Sequence, residues 1–150
     1  MRRATKSAND KAQIRTLLNA YAAAIYAKDA HATVALYARD VVAYDLAPPL
    51  EIKARTMRRP NHIQQWFDTW KGPIRSTAKA LEIVVGKDVA YAFGLRHMTG
   101  TKTDGARADL WFRATAGFRR EGGAWKIAHV HNSVPFAMDG SDRALLGLKP

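Results

Sequence analysis

The stretch FRREGGAWKIAHVHNSVPF, residues 118–136, is the part of the sequence that decides the fold. Its Glu121-Gly122-Gly123 segment predicts a hairpin turn, because glycine reaches the backbone conformations that tight turns require. Successive side chains of a strand point to opposite faces, so one face of the strand after the turn carries five alternate residues: Trp125, Ile127, His129, His131 and Ser133. The apolar start of this face predicts that it points into a core. The three polar residues that follow are then expected to line the same interior.

The period of two continues upstream of the hairpin. Together with the hairpin itself, the pattern predicts four strands, at residues 81–85, 89–99, 108–120 and 125–134. Consecutive strands with short connections form an antiparallel meander. An earlier strand, residues 41–46, is stopped by Pro48 and Pro49, because proline cannot continue a central ladder.

The first half of the chain has the helical period instead. The first predicted helix carries apolar residues at helical spacing: Ile14, Leu17, Leu18, Tyr21 and Ile25. Asp29 is a good N-cap for a second, shorter helix that includes Tyr37. Asn61 caps a third helix with Trp66 and Trp70 on its apolar stripe. Helices first and strands after predict an α+β fold.

Length and composition limit the classes of protein to which the chain can belong. The 150 residues fit one domain, residues 1–150, and 47% hydrophobic with 25% charged residues excludes a disordered chain. The absence of cysteine excludes disulfides, zinc–thiolate sites, iron–sulfur clusters and thiol catalysis. The basic start of the chain has no apolar run after it, and no stretch reaches the ~20 apolar residues of a membrane span. We therefore expect a soluble, cytoplasmic domain.

The net charge of +11 raises the question of nucleic-acid binding. The basic residues are scattered, and the one cluster, Arg55 with Arg58 and Arg59, has no aromatic neighbour on which a base could stack. No helix-turn-helix, RNP-like or zinc-finger pattern is present. The charge is interpreted as a solvated surface, and nucleic acid is not predicted as a partner.

The alternation along the predicted strands indicates which residues line a pocket. Bulky residues occupy the odd positions of the strand after Gly86, and the next strand has its apolar residues at even positions. The predicted ligand-binding set is Trp66, Phe93, Leu95, His97, Phe112 and Ser133. The same parity places Trp111, Arg113 and Thr115 on the outer face, where they could serve a dimer interface.

Each of these residues also has an ordinary structural interpretation. His129 and His131 could be core histidines bonded to neighbours, and Trp66 could be core packing. Asp45 could cap the proline turn or place a carboxylate at a cavity mouth. A His-x-His metal site with His97 is not predicted, because the strand of His97 is one removed from the last, ~9–10 Å away.

At these residues the chain resembles the NTF2-like superfamily, and more narrowly the SnoaL-like proteins often labelled ketosteroid-isomerase homologues. The resemblance rests on AYAAAIYAKDAHATVALYARDVVAYD, residues 20–45, and on residues 118–136. It implies a cone in which three N-terminal helices pack on a strongly curved antiparallel sheet and enclose a pocket. It also implies a tyrosine on the first helix and a catalytic aspartate in the first strand, which match Tyr21 and Asp45.

The resemblance has one departure. Ketosteroid isomerases carry a second, inward-facing acid on the strand before the last hairpin, where this chain reads Ala114-Thr115-Ala116. Half of that oxyanion hole therefore has no counterpart. The family's last strand lines the pocket at positions that match His129, His131 and Ser133.

These observations predict that the chain binds a small apolar or aromatic molecule and carries out isomerase-, cyclase- or hydrolase-like proton transfer without a cofactor or metal. Asp45 would remove a proton next to a carbonyl, and Tyr21 with His129 or His131 would bind the developing enolate oxygen. The alternative is a non-catalytic ligand-binding or assembly module that forms a homodimer through its outer sheet face.

Overall fold

Helices fill the first half of the chain and long strands the second, in a computed structural model that describes residues 2–150. The helices are α1 (Arg2–Ala27), α2 (Ala30–Ala35), α3 (Ala54–Met57) and α4 (Pro60–Phe67). The strands are β1 (Tyr37–Tyr44), β2 (Ile52–Lys53), β3 (Trp70–Val85), β4 (Val89–Lys102), β5 (Arg107–Glu121) and β6 (Ala124–Ser133). The predicted α+β class is confirmed. None of the described helices has the length and hydrophobicity to span a bilayer.

One six-stranded sheet has the order β2-β1-β6-β5-β4-β3. Strands β3 to β6 form the predicted antiparallel meander. The prediction of a wholly antiparallel sheet is wrong at one place, because β1 runs parallel to β6. The chain leaves β1, crosses through α3 and α4 to the far edge at β3, and meanders back. The sheet is therefore mixed and does not close into a barrel.

The helical predictions hold in part. Asn61 was expected to cap α4, but the helix begins at Pro60 with Arg59 in the N-cap position, because the fixed φ of proline suits the first turn of a helix. The Asp29 side chain accepts a hydrogen bond from Ala32 N at 2.8 Å and caps α2, as expected. Tyr37 begins β1 rather than ending α2, and Trp70 begins β3 rather than ending the third predicted helix, which is α4. The short α3 makes four helices instead of three.

Helix α1 covers the concave face of the sheet and makes most of its contacts with β3. The main core lies between them and includes Ile14 from the helix with Phe118 and Ile127 from the sheet, all at most 2% exposed. A second core cluster sits at the end of the cone where α4 meets the start of β3, and includes Phe67, Trp70 and Ile74. Tyr21 packs against both clusters.

Two bulges change which face the side chains occupy. In β3 the register to β4 shifts between Lys79 and Glu82, where Ala80 has a φ of 53°. Gly94 lies under this bulge, and a Cβ there would sit 3.0 Å from the Lys79 carbonyl oxygen. In β6 the register to β5 shifts at Ala128. Because a bulge adds one residue to one strand, every side chain beyond it changes face relative to simple alternation.

Candidate functional site

Strand β4 presents its small residues to the interior and its bulky ones to the outer face. Ala90 and Ala92 are 7% and 2% exposed, whereas Tyr91 and Phe93 are 48% and 44% exposed. Leu95 and His97 share the face of Phe93 by alternation. This orientation places the side chains of Phe93, Leu95 and His97 on the outer face instead of the interior that their parity predicted, although Phe93 and Leu95 also border the small cavity described below. Part of the reason for this orientation is the β3 bulge, which packs against Gly94 and leaves room there only for a small residue.

The bulge at Ala128 redirects the last strand. Phe118 pairs with Ile127 on the interior face, but the next pair is Gly117 with His129. His129, and after it His131 and Ser133, therefore lie on the outer face. This placement contradicts the alternation on which their assignment to the pocket rested.

The histidines form part of an outer-face cluster. The Tyr44 ring lies 4.9 Å from the ring of His129 and 5.6 Å from that of His131, edge-on to both. His129 Nδ1 donates a hydrogen bond to the Val42 carbonyl oxygen at 2.8 Å. These contacts orient the histidines along the β1–β6 seam and away from Tyr21.

His97 belongs to a second outer-face cluster. Its ring stacks on Trp111 at 4.4 Å and its Nε2 lies 2.6 Å from Asp109 Oδ1. The hydrogen bond from His97 lowers the pKa of Asp109. Trp111 and Arg113 lie on the outer face, as predicted. Among the described residues, no group of three histidine or acidic side chains is placed to hold a metal ion.

Two of the nominated aromatic residues lie on the inner side. Phe112 is 8% exposed and pairs with Arg96 in the concave face. Trp66 packs against Phe67 and Trp70, with ring centroids 5.3 and 5.7 Å away. Trp66 therefore belongs to the second core cluster, at the end of the cone.

Asp45 lies at the interior edge of β1, where the strand ends. Alternation along β1 places it on the face of the buried Val41 and Ala43. Its Oδ1 accepts hydrogen bonds from Asn132 Nδ2 at 3.0 Å and from Leu46 N at 2.7 Å. The carboxylate is exposed, so it stands at the mouth of the cone and solvent or a ligand can reach it.

Two tyrosines lie next to each other deeper in the cone. The ring centroids of Tyr21 and Tyr37 are 6.2 Å apart. Burial raises the pKa of Tyr21, a hydrogen bond with Tyr37 opposes this, and the Asp45 charge adds to it. Burial and the proximity of Tyr21 raise the pKa of Tyr37 well above its usual range. The two hydroxyl groups therefore lie in a buried environment that keeps both of them protonated at neutral pH.

A charged residue completes this interior group. Arg96 lies on the concave face of β4, and its Nε and Nη2 donate to Ser76 Oγ at 3.2 and 2.7 Å. Burial lowers the pKa of Arg96, and the proximity of Tyr21 opposes that shift. The negative charge of Asp45 therefore raises the pKa of Tyr21, and the positive charge of Arg96 lowers it.

A small cavity adjoins Arg96. Its volume is about 30 Å³, and small side chains form much of its wall: Ala78, Ala92, Ala114 and Ala116. This is room for a group of one or two water-sized atoms rather than for a whole ligand. A larger molecule would have to extend from the cavity toward the mouth at Asp45.

The sequence interpretation missed Arg96, Asn132 and the role of Tyr37. A signal for Arg96 was present, because it follows three small residues at alternate positions: Ala90, Ala92 and Gly94. Small residues on one face indicate a closely packed neighbour above it. Asn132 had no such signal, because the bulge at Ala128 decides its face.

Comparisons with known proteins agree with this architecture. A family model described as a SnoaL-like domain matches residues 14–137. An NTF2-like protein of unknown function from Pseudomonas putida KT2440 is 30% identical, with a TM-score of 0.84 over 96% of this chain and 99% of that one. No curated protein sequence matches the chain.

Two more distant structures share the fold. An NTF2-like superfamily protein from Salmonella enterica serovar Typhimurium is 18% identical, with a TM-score of 0.76 over 91% of this chain and 98% of that one. A Streptomyces avermitilis protein, provisionally described as a dehydratase of the NTF2-like family, is 17% identical, with a TM-score of 0.74 over 86% and 99% of the two chains.

Proposed function

The chain belongs to the SnoaL-like domain family, and from this premise we propose that its concave side binds a small, largely apolar molecule and transfers a proton on it without a cofactor. The observation that carries the proposal is the polar group inside the cone. The Tyr21 and Tyr37 rings lie 6.2 Å apart, and the charges of Asp45 and Arg96 both act on Tyr21. Interior polar groups that are not needed for packing are candidates for ligand contacts.

Asp45 is the base in this scheme. Its exposed carboxylate at the mouth can approach a carbon acid, while Asn132 and the Leu46 N–H hold it in place. A carboxylate removes a proton from a carbon next to a carbonyl when the product enolate is stabilised. The buried Tyr21 hydroxyl is the donor for that enolate oxygen.

In this scheme, the hydrogen-bond donors to the oxyanion differ from those predicted from the sequence. His129 and His131 were expected to assist Tyr21, but they occupy the outer face. The Tyr21–Tyr37 pair supplies the hydrogen bond from within the cone instead. The apolar wall, which includes Leu18 and Phe112, would exclude water and strengthen that hydrogen bond. The reaction class is isomerisation, cyclisation or hydrolysis-like proton transfer.

Phenylacetone is a suitable probe, because it is small, apolar and has an acidic benzylic carbon next to a carbonyl. Proton NMR in D₂O measures the exchange of its benzylic hydrogens. We expect the protein to accelerate exchange, Asp45→Asn to lose ~10²-fold or more of this acceleration, and Tyr21→Phe to lose a smaller factor.

Asp68→Asn is the matched control, because Asp68 is an exposed carboxylate at the end of α4 that bonds Gln64. It should leave the exchange rate unchanged. Equal rates for wild type and Asp45→Asn, with both proteins folded, would refute the role of Asp45.

A homodimer through the outer face is the second part of the proposal. This face exposes large apolar side chains, among them Tyr91 and Phe93 at 48% and 44%. It also carries both signs of charge, which allows a copy related by a two-fold axis to place unlike charges together: Lys79, Glu82, Asp109 and Arg113. A second copy is therefore the occupant that this face suits.

Light scattering coupled to gel filtration tests the dimer. Phe93→Lys should convert a dimer to a monomer, because it places a charge in the centre of the apolar strip. Leu50→Lys is the control, since Leu50 is 96% exposed on the loop between β1 and β2. A wild-type protein that runs as a monomer at every concentration contradicts this assignment.

A further inference from the structure

We propose that Arg96 binds a carboxylate group on the molecule that enters the cone, an assignment that rests on the proposed binding function of the same cavity. The molecule would be a small acid with an apolar body. Its carboxylate would occupy the cavity at Arg96, and the body would extend along the small-residue wall toward Asp45 at the mouth.

Arg96 lies in a largely apolar part of the sheet. The β3–β4 and β4–β5 registers pair it with Ala78 on one side and Phe112 on the other, both on the concave face. A guanidinium among such residues loses much of its hydration, which is costly unless an anion compensates it. In the part of the chain that the structure describes, no carboxylate lies within ion-pair distance of Arg96.

The guanidinium of Arg96 has more N–H donors than Ser76 can accept. A guanidinium has five N–H groups in a planar fork. The hydrogen bonds that Arg96 makes within residues 2–150 both go to Ser76 Oγ, a neutral acceptor. Ser76 thereby fixes the orientation of the fork without neutralising its charge. The remaining N–H groups are available to an oxyanion that binds two of them at once.

A small space lies beside the guanidinium of Arg96. The cavity of about 30 Å³ includes Arg96 in its lining and is otherwise mostly apolar. A planar carboxylate is small enough for such a space, whereas a tetrahedral phosphate has two more oxygens to place. Asp45 does not fill this role itself, because its Oδ1 is engaged by Asn132 and the Leu46 N–H at the mouth.

This placement adds selectivity to the proton-transfer scheme. The charges of Arg96 and Asp45 act on Tyr21 in opposite directions. An acid held at Arg96 would present its adjacent carbons near the Tyr21 hydroxyl and direct the rest of its body toward Asp45. The net charge of +11 would also favour the approach of an anion over that of a neutral analogue.

Phenylacetate and phenylacetamide are a matched pair of probes that differ in charge but hardly in shape. Each is titrated into ¹⁵N-labelled protein, and the Arg96 Nε–H resonance reports contact directly. We expect phenylacetate to shift this resonance and to bind at least tenfold more tightly than phenylacetamide. Arg96→Met should abolish the preference, and Arg96→Lys should retain only part of it because a lysine lacks the planar fork.

Arg113→Met is the matched control. Arg113 also donates from its Nε to a serine, Ser133, at 3.1 Å, but it lies on the outer face. Its loss should leave the preference for phenylacetate intact. The amide spectrum of each variant shows whether the variant is folded, and Ser76→Ala provides a milder perturbation of the same site, which should weaken phenylacetate binding several-fold.

Equal affinities for acid and amide, or an undiminished preference in folded Arg96→Met, would overturn the assignment. Tighter binding of phenyl phosphate than of phenylacetate would overturn the choice of carboxylate. Because the titration requires no proton transfer, Asp45→Asn should still bind phenylacetate. A protein that binds the acid at Arg96 but exchanges no hydrogens would contradict the proposed catalysis and leave the carboxylate site standing.

Discussion

Loss of the ion pair between Asp10 and Arg120 should weaken the whole cone. Asp10 lies on the inner stripe of α1 with its side chain 5% exposed, and Arg120, near the end of β5, is 20% exposed. Arg120 also donates to the Gly123 carbonyl oxygen at 3.1 Å and lies over the Trp125 ring at 4.3 Å. The pair therefore connects the helix that covers the sheet to the last hairpin.

The burial of the two side chains determines how much stability the protein loses when the pair is removed. Removing one partner of a fully buried ion pair costs about 3–5 kcal/mol, because the other charge is left uncompensated. Arg120 is partly accessible and keeps its other two contacts, so we expect Asp10→Asn to cost about 2–3 kcal/mol. For a chain of this length, that loss lowers the melting temperature by roughly 5–10 °C.

Urea unfolding followed by tryptophan fluorescence and circular dichroism measures the loss. Asp10→Asn, Arg120→Met and the double variant form a cycle in which the double variant should lose less than the sum, with a coupling of about 1 kcal/mol or more. Asp40→Asn is the control, because the Asp40–Arg119 pair lies nearby but is solvent-exposed, and its midpoint should not move. An Asp10→Asn midpoint equal to wild type would refute the packing of α1 against the last hairpin.

Two further predictions concern the interior. Tyr21 and Tyr37 stay protonated above the ordinary tyrosine pKa of 10.0, so the unfolded chain loses these protons first and stability falls as the pH rises past that value. Alkaline titration of tyrosinate absorbance should show these two among the five tyrosines ionising last, and a Tyr21→Phe, Tyr37→Phe variant should lose less stability at high pH. Gly94→Ala should cost about 1–3 kcal/mol in urea unfolding, because its Cβ meets the backbone of the β3 bulge. Gly147→Ala, which has open space around it, should stay within about 0.5 kcal/mol of wild type.

The strands were predictable where alternation runs without interruption. Strand β5 spans Arg107–Glu121 against a prediction of residues 108–120, because its apolar positions keep one parity throughout. Strand β3 was recognised only at its second half. Gly72 and Pro73 indicated a helix end, but they lie at a register shift in an edge strand, where proline is tolerated.

The face of the last strand could not be predicted from its own residues. Simple alternation assumes that each residue of β6 pairs with one residue of β5. Ala128 is an extra, unpaired residue in β6, so His129 and the residues after it change to the other face. The residue that accommodates this change of face lies on the neighbouring strand, β5. Gly117 stands opposite His129, and a Cβ there would lie 3.4 Å from the His129 Cβ. Such a pairing is recognisable only once the register is known.

Size, rather than hydrophobicity, distinguishes the two faces of β4. A sheet face exposed to solvent usually carries polar residues, so the bulky apolar positions of β4 were assigned to the interior. The bulged strand β3 reverses this expectation at Gly94, because a Cβ there would meet the backbone of Lys79, Ala80 and Leu81, which leaves room only for a small residue. Once the small face is taken as the inner one, Arg96 becomes an interior charge rather than a surface one. The exposed aromatic residues of the opposite face then also have an explanation, since a second copy of the chain could cover them.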